Sequence, residues 1–281
     1  MINKYYIVVR HLESISIKAT MMIDPLISIF GLSVGILIGV AGMGGGSIAT
    51  PLLILLFGVR PIVAVGTDLA FMAITKSFGA VQHYRQGTFD ITLLKHLIIA
   101  AVPGSIIGII VTNTLRMQLA ESVDLFIRDF LAYTLIIVVG LLILQYVIRN
   151  DQHRLNVTTL CLAIRSHRIP LYIIGATAGF LISITSIGGG VLILPFLLLL
   201  YPVHTKKLIG TDISLATILS IIGGIGYLIM GTINIFLLFS LLIGSIPGVY
   251  MGSKINGKLP THILKIFLMG ILFTVAIILL R

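Results

Sequence analysis

Long apolar stretches alternate with short polar connections along most of the chain. A transmembrane helix needs about 20 mostly apolar residues, and one set of segments approaches or reaches that length. They lie at 26–42, 61–83, 93–114, 129–148, 171–186, 208–229, 235–253 and 263–280. Two further apolar runs, 47–58 and 191–201, are too short for a perpendicular crossing. The pattern predicts an all-α polytopic membrane protein with about eight transmembrane helices.

Composition supports a membrane protein. Of 281 residues, 58% are hydrophobic and 10% are charged, with a mean hydropathy of +1.15. A soluble domain carries about 25% charged residues, so we expect a multi-pass protein of the cell (inner) membrane, with the lipid bilayer as a partner. The net charge is +10, but the basic residues fall mostly between apolar runs, where they act as topology signals. Nucleic-acid binding is therefore not expected.

The chain compared with itself shows an internal repeat. A shift of 144 residues places Gly44-Gly45-Gly46 on Gly188-Gly189-Gly190, Pro51 on Pro195, and Gly66-Thr67-Asp68 on Gly210-Thr211-Asp212. We predict a leader at 1–25 (cytoplasmic or interfacial), a first transmembrane repeat at 26–148, a basic linker at 149–170 and a second repeat at 171–281. Each half then has a short helix after a break at its glycine triplet. Such repeats are a feature of secondary transporters, with the substrate at the repeat interface.

These motifs resemble a known family. The segment from Gly39 to Leu53, followed by Val65-Gly-Thr-Asp68, is similar to the TauE/SafE family of sulfite and organosulfonate exporters. The second copy, from Ser186 to Pro195 and then Ile209-Gly-Thr-Asp212, is similar as well. The resemblance covers about residues 26–280. It implies a membrane transporter for sulfite or another small sulfur-containing anion.

The glycine triplets predict breaks at which a helix must restart. A helix N-terminus directs free N–H groups and a partial positive charge at whatever faces it, which suits an oxyanion. Thr50 is expected as the N-cap, and Pro51 as the first helical residue. The alternative is close helix packing through small residues. The candidate substrate-binding residues are Gly44, Gly45, Gly46, Thr50, Pro51, Lys76, Gly188, Gly189, Gly190 and Pro195.

Asp68 and Asp212 are the two carboxylates of the repeated apolar core. A carboxylate within the bilayer is costly and normally faces a partner or a wet cavity. Two interpretations stay open: the acids couple protons to transport, or Thr67 and Thr211 cap helices whose first turn contains the acid.

Lys76 breaks the repeat, because its equivalent is Ser220. It follows Asp68 by eight residues, or about 12 Å along a helix, which excludes an ion pair between the two within one helix. Lys76 is interpreted as a substrate contact, or else as a side chain that reaches toward the loop near Arg85. Tyr227 is expected near a span end, as an interfacial anchor.

The function predicted from these residues is a secondary transporter, not an enzyme, that exports a small anion such as sulfite or an organosulfonate. No Gly-x4-Gly-Lys-Ser/Thr motif is present, so this chain is not expected to bind ATP. One cysteine and scattered histidines predict neither a cofactor nor a metal site. The alternatives are a proton-coupled importer, a membrane-embedded enzyme or an assembly subunit. Whether the protein forms a homo-oligomer stays open.

The direction of the two halves depends on the short apolar runs. If 47–58 and 191–201 are re-entrant, each half has four crossings and the halves are parallel, which we expect. If they cross fully, each half has five crossings and the halves are inverted. The arginines of the linker would then lie outside, against the usual charge rule.

Overall fold

The computed structural model describes residues 24–41, 46–119, 122–150, 169–187, 189–200, 205–255 and 261–280. These residues form ten α-helices and a short 3-10 turn, Gly189–Val191. The helices are α1 (Pro25–Ala41), α2 (Gly46–Phe57), α3 (Pro61–Arg85), α4 (Ile91–Leu119), α5 (Ser122–Asn150), α6 (Ile169–Thr185), α7 (Ile193–Leu200), α8 (Thr205–Ile229), α9 (Ile235–Ile255) and α10 (Thr261–Leu279). Most of the predicted leader and linker lies outside the described residues.

The eight longer helices occupy the apolar segments predicted from the sequence, so the all-helical class is confirmed for the described part of the chain. Within that part, five helices are long and apolar enough to cross a membrane. They contain the spans Pro61–Arg85, Ile91–Gln118, Ser122–Leu144, Lys207–Ile229 and Ile235–Gly252. The total of about eight transmembrane helices stays a prediction.

Helix α2 has 12 residues and α7 has 8, so they are about 18 Å and 12 Å long. Both are shorter than the hydrocarbon core of about 30 Å. The expected start of α2 is wrong: the helix begins at Gly46 and Pro51 lies inside it. Thr50 is therefore not an N-cap. A proline in the second turn is accommodated at the cost of one backbone hydrogen bond, and this allowed the helix to begin earlier.

The first helix of each half packs closely against a helix of the other half. A Cβ atom on Gly31 of α1 would lie 2.7 Å from the carbonyl oxygen of Leu241 in α9. The repeat-equivalent atom on Gly175 of α6 would lie 3.0 Å from the carbonyl oxygen of Leu97 in α4. Further along, Gly252 faces Ile36. From the Gly31–Leu241 contact to the Ile36–Gly252 contact, the residue numbers increase on both helices, so α1 and α9 are parallel. Small residues allow these backbones to approach.

Helices α3 and α8, which are equivalent in the repeat, run antiparallel. Gly66 of α3 lies beside the ring of Tyr227, and Gly79 lies beside Ile213 of α8. The equivalent contacts recur, because Gly210 lies beside His83 and Gly223 beside Leu69. Two equivalent helices that pack antiparallel are related by a two-fold axis perpendicular to them. The two halves are therefore inverted, and the expectation of parallel halves is wrong.

The physical reason lies in the direction of α1 relative to α3. Helix α4 is parallel to α8, because Gly210 faces Thr88 and Gly226 faces Ile109. The same two-fold makes α9 parallel to α3, and hence α1 parallel to α3. Helix α2 must return the chain between α1 and α3. Since Asp124 at the start of α5 binds the backbone N–H of Ile62, α5 also runs with α3. The first and last helices of a half therefore run in the same direction, so the half begins at one end of the helix bundle and finishes at the other.

Candidate functional site

Lys76 and Ser220 lie on the faces of α3 and α8 that pack against each other. Leu69 and His83 contact α8, and they precede and follow Lys76 by seven residues, or about two helical turns. Ile213 and Tyr227 are related to Ser220 in the same way. Lys76 and Ser220 are both buried, with 8% and 1% of their surface exposed. The repeat-related pair therefore lies at the interface between the halves.

The contacts of α3 with α8 also fix the level of the two-fold axis. Because Gly66 faces Tyr227 and Gly210 faces His83, the axis passes at the level of residues 74–75 and 218–219. Lys76 and Ser220 are within about 3 Å of this level. Asp68 and Asp212 lie about 10 Å from it, toward opposite ends of the crossing. The lysine thus lies at the centre of the inverted repeat, the level at which transporters of this kind bind substrate.

Four buried side-chain atoms in the described part of the chain have no hydrogen-bond partner. They are Asp68 Oδ1, Lys76 Nζ, Asp212 Oδ1 and Ser220 Oγ. These four residues form two repeat-related pairs. An unpartnered buried polar atom is costly, more so when it is charged. Four such atoms along one helix crossing indicate a site that a ligand or a proton completes.

Along the crossing, Lys76 lies about 8 Å from the level of Asp212 and about 12 Å from that of Asp68, so both acids act on it electrostatically. The described residues contain no carboxylate oxygen within 4.0 Å of its Nζ atom; their ion pairs are Arg60–Asp124 and Arg128–Asp129. The Nζ atom is buried, so the interpretation that Lys76 reaches toward the loop near Arg85 is wrong. The lysine is held in the interior without a direct counter-ion.

Asp68 joins segments from both halves. Its Oδ2 atom accepts hydrogen bonds from Thr50 Oγ1 of α2 at 2.7 Å and from Ser186 Oγ at 2.8 Å. The two hydroxyls also contact each other. Ser186 directly follows α6 and has a φ of 56°, a left-handed conformation that ends the helix. Asp68 therefore connects the short helix of the first half to the helix break of the second.

Asp212 lacks these partners. The repeat equivalents of the two hydroxyl residues are Leu194 and Gly42, and neither has a side-chain donor. Asp212 is 2% exposed, and its Oδ1 atom has no partner. The two acids of the repeat thus have different surroundings, although their motifs are the same.

The capping interpretation is wrong for the helices that contain the two acids. Helix α3 begins at Pro61 and α8 at Thr205, so neither acid lies in a first turn. Instead, Thr67 Oγ1 accepts the backbone N–H of Asn234, which precedes α9, and Thr211 Oγ1 accepts that of Asp90, which precedes α4. Each threonine supports the start of a helix in the other half.

The glycine triplets are partly described. Gly44, Gly45 and Gly188 lie outside the described residues. Gly46 begins α2, while Gly189 and Gly190 begin the 3-10 turn before α7. Pro195 is the third residue of α7 and is buried. The contact of Thr50 with Ser186 brings the two broken regions together. The anion cradle at the triplets stays a prediction.

Sequence reasoning did not identify Ser186 as a partner of Asp68, and it placed Tyr227 wrongly. Tyr227 is fully buried, and its hydroxyl donates to the carbonyl oxygen of Ser183 at 3.0 Å. The expectation of an interfacial tyrosine failed because Gly66 leaves room for its ring between α3 and α8. Its repeat equivalent is His83. Among the described residues, no group of three or more His, Cys, Asp or Glu could hold a metal ion.

Inverted halves are typical of secondary transporters, which bind substrate at the interface between the repeats. Residues 27–279 match the family model described as sulfite exporter TauE/SafE. The chain belongs to the TauE/SafE family of membrane transporters, as the resemblance implied.

Curated relatives agree with this assignment. The probable membrane transporter protein YjnA of Bacillus subtilis is 34% identical over 246 residues, which cover 88% of this chain and 95% of the relative. YdhB of the same organism is 30% identical over 233 residues, covering 82% and 89%. The probable membrane transporter protein MJ0441 of Methanocaldococcus jannaschii is 28% identical over 272 residues, covering 90% and 93%. No solved structure matches the chain.

Proposed function

We propose that the protein is a secondary transporter of the cell (inner) membrane that exports a small anion such as sulfite or an organosulfonate. The anion binds between α3 and α8, where it accepts hydrogen bonds from Lys76 Nζ and Ser220 Oγ. The observation that carries this proposal is Lys76: a buried ammonium group at the level of the two-fold axis with no direct partner.

An oxyanion meets the requirements of this site. The ammonium group has three donors and no acceptor, and the hydroxyl of Ser220 can donate one further hydrogen bond. A sulfite or sulfonate group offers several acceptor oxygens and a compensating charge. The start of α2 at Gly46 offers further backbone donors, provided that the first triplet turns toward the same space. This extends the predicted cradle to the centre of the protein.

A proton-coupled importer is the second candidate, and the unpartnered Asp212 favours it. An anion leaves a cell that is negative inside without a further energy source, at a gain of about 2.3 kcal/mol per charge per 100 mV. Its import needs coupling to a second ion. Right-side-out and everted membrane vesicles distinguish the two directions, because an exporter fills everted vesicles.

A flux assay with purified protein in liposomes tests the proposal. Sulfite, sulfate, thiosulfate and alkanesulfonates are the candidate substrates, with chloride as a comparison. Lys76→Met should abolish flux, whereas Lys95→Met, at an exposed position of α4, should leave it unchanged. Full flux in Lys76→Met would remove the site from the mechanism. Flux from the purified chain alone also excludes a role limited to assembly of another complex.

A further inference from the structure

At the crossing of α3 and α8, one buried lysine, Lys76, interacts electrostatically with two buried acids. Lys76 supplies one positive charge, and Asp68 and Asp212 can each supply one negative charge. With both acids ionised, the site has a net charge of −1 before any substrate arrives. An anion that binds to Lys76 adds a second net negative charge within a buried, low-dielectric region, where repulsion is strong. Protonation of one acid removes this added repulsion and so favours anion binding.

The surroundings of the two acids indicate which one changes. Two hydroxyl donors already compensate the charge of Asp68, at 2.7 and 2.8 Å. Each acid has one unpartnered oxygen, but in the described part of the chain no hydroxyl donates to Asp212, and Asp212 interacts electrostatically with Lys76, the group that the anion needs. The anion and the carboxylate of Asp212 therefore compete for one positive charge.

The other titratable side chains that the structure describes on α8 and on the helices around it are engaged elsewhere or exposed; Tyr227 of α8 donates to the carbonyl oxygen of Ser183. His83 Nδ1 of α3 bonds Thr88 Oγ1, and Asp90 Oδ1, at the start of α4, accepts two backbone N–H groups. Arg116 of α4 donates to the carbonyl oxygen of Met230, near the far end of α8. Tyr84, Arg85, Lys95, His96, Tyr172 and Lys207 are exposed or partly exposed. Lys76 remains as the charge that acts on Asp212.

We propose that Asp212 takes up one proton for each anion that binds at Lys76, so that the protein moves an anion and a proton together. Asp68 remains a structural link between the halves. This inference rests on the proposed anion site. Transport is then electrically neutral for a monovalent anion, and its direction follows the combined anion and proton gradients. The membrane potential then does not drive export. With an interior one pH unit more alkaline than the outside, the anion leaves only when its concentration inside exceeds that outside by more than tenfold.

Proton uptake upon anion binding tests this coupling directly. The probe is ethanesulfonate, which carries no titratable proton of its own near neutral pH. It is added to purified wild-type protein in a weakly buffered solution that contains a pH dye. We expect the uptake of about one proton per bound anion in the wild type and in Asp129→Asn, a control whose carboxylate is half exposed on α5. Asp212→Asn should bind ethanesulfonate with no proton uptake and with an affinity that does not depend on pH.

The outcomes separate the coupling from the anion site itself. If wild-type protein binds neither ethanesulfonate nor sulfite, the anion site and the coupling are both wrong. If it binds ethanesulfonate without proton uptake, or if Asp212→Asn still takes up a proton, only the coupling is wrong. A second measurement needs no variant: ethanesulfonate flux through the wild type at fixed pH should not respond to a potassium–valinomycin potential. A response to that potential overturns electrically neutral transport.

Discussion

The hydroxyl of Thr67 accepts a hydrogen bond from the backbone N–H of Asn234 at 3.1 Å, across the boundary between the two halves. The repeat supplies the same contact in reverse, since Thr211 accepts the N–H of Asp90 at 2.9 Å. Each Gly-Thr-Asp motif therefore has two tasks. Its threonine supports a helix start in the opposite half, and its aspartate lies beside the central site.

Removal of either threonine hydroxyl should lower stability to a similar extent. Thr67→Val and Thr211→Val each leave a backbone N–H without its acceptor, which costs about 1–3 kcal/mol. Thermal unfolding in detergent measures the effect. Thr177→Val is the control, because that exposed hydroxyl bonds only to carbonyls of its own helix, and it should stay near the wild type. Unequal effects of the two core variants would contradict the symmetry of these contacts.

The close pairs α1 with α9 and α4 with α6 should not tolerate a methyl group at their glycines. A Cβ atom on Gly35 would lie 2.5 Å from the carbonyl oxygen of Ser245, and one on Gly179 would clash with Ala101. Gly35→Ala and Gly179→Ala should each destabilise the protein by about 1–3 kcal/mol. Gly270→Ala is the control, since no atom lies within 4 Å of its added carbon. Equal stability of all three would contradict the described packing.

A lysine at position 220, the repeat equivalent of position 76, should replace Lys76 in part. Lys76→Ser should reduce anion flux by about 10-fold to 100-fold, because a hydrogen bond to a charged group is worth about 1.5–3 kcal/mol. The double variant Lys76→Ser with Ser220→Lys places a lysine at the equivalent position and should recover part of this flux. The proteoliposome assay above measures both. A folded double variant with no more flux than Lys76→Ser would show that the level of the lysine alone does not define the site.

The triplets can be tested by filling the space that their glycines leave. Gly45→Leu and Gly189→Leu should each abolish transport while the protein remains in the membrane, because a side chain would occupy the anion's position. Gly140→Leu is the control, since its added carbon meets no atom within 4 Å. Wild-type flux in both triplet variants would leave close packing as the role of these glycines.

The sequence was sufficient for the all-helical class and for the positions of the long helices, because apolar length stands out in this background. It was insufficient for the direction of the halves. Hydropathy shows how long an apolar run is, but not whether the chain crosses back within it. Helix α2 does lead the chain back, so α1 and α3 are parallel. Ser186 was named only as the first residue of the second motif, and its contact with Asp68 was missed because the two residues lie 118 positions apart.

The first and last helices of a half run in the same direction, and this has a consequence for ancestry. A half that begins on one side of the bilayer and ends on the other places a tandem copy of itself upside down without any change in sequence. Before duplication, a single half could build this interface only if its copies entered the membrane in both orientations. Such dual insertion requires a weak bias of basic loops. Fusion of two copies would have fixed the pair. The difference between Lys76 and Ser220 could arise only after duplication, because identical chains cannot differ at one site.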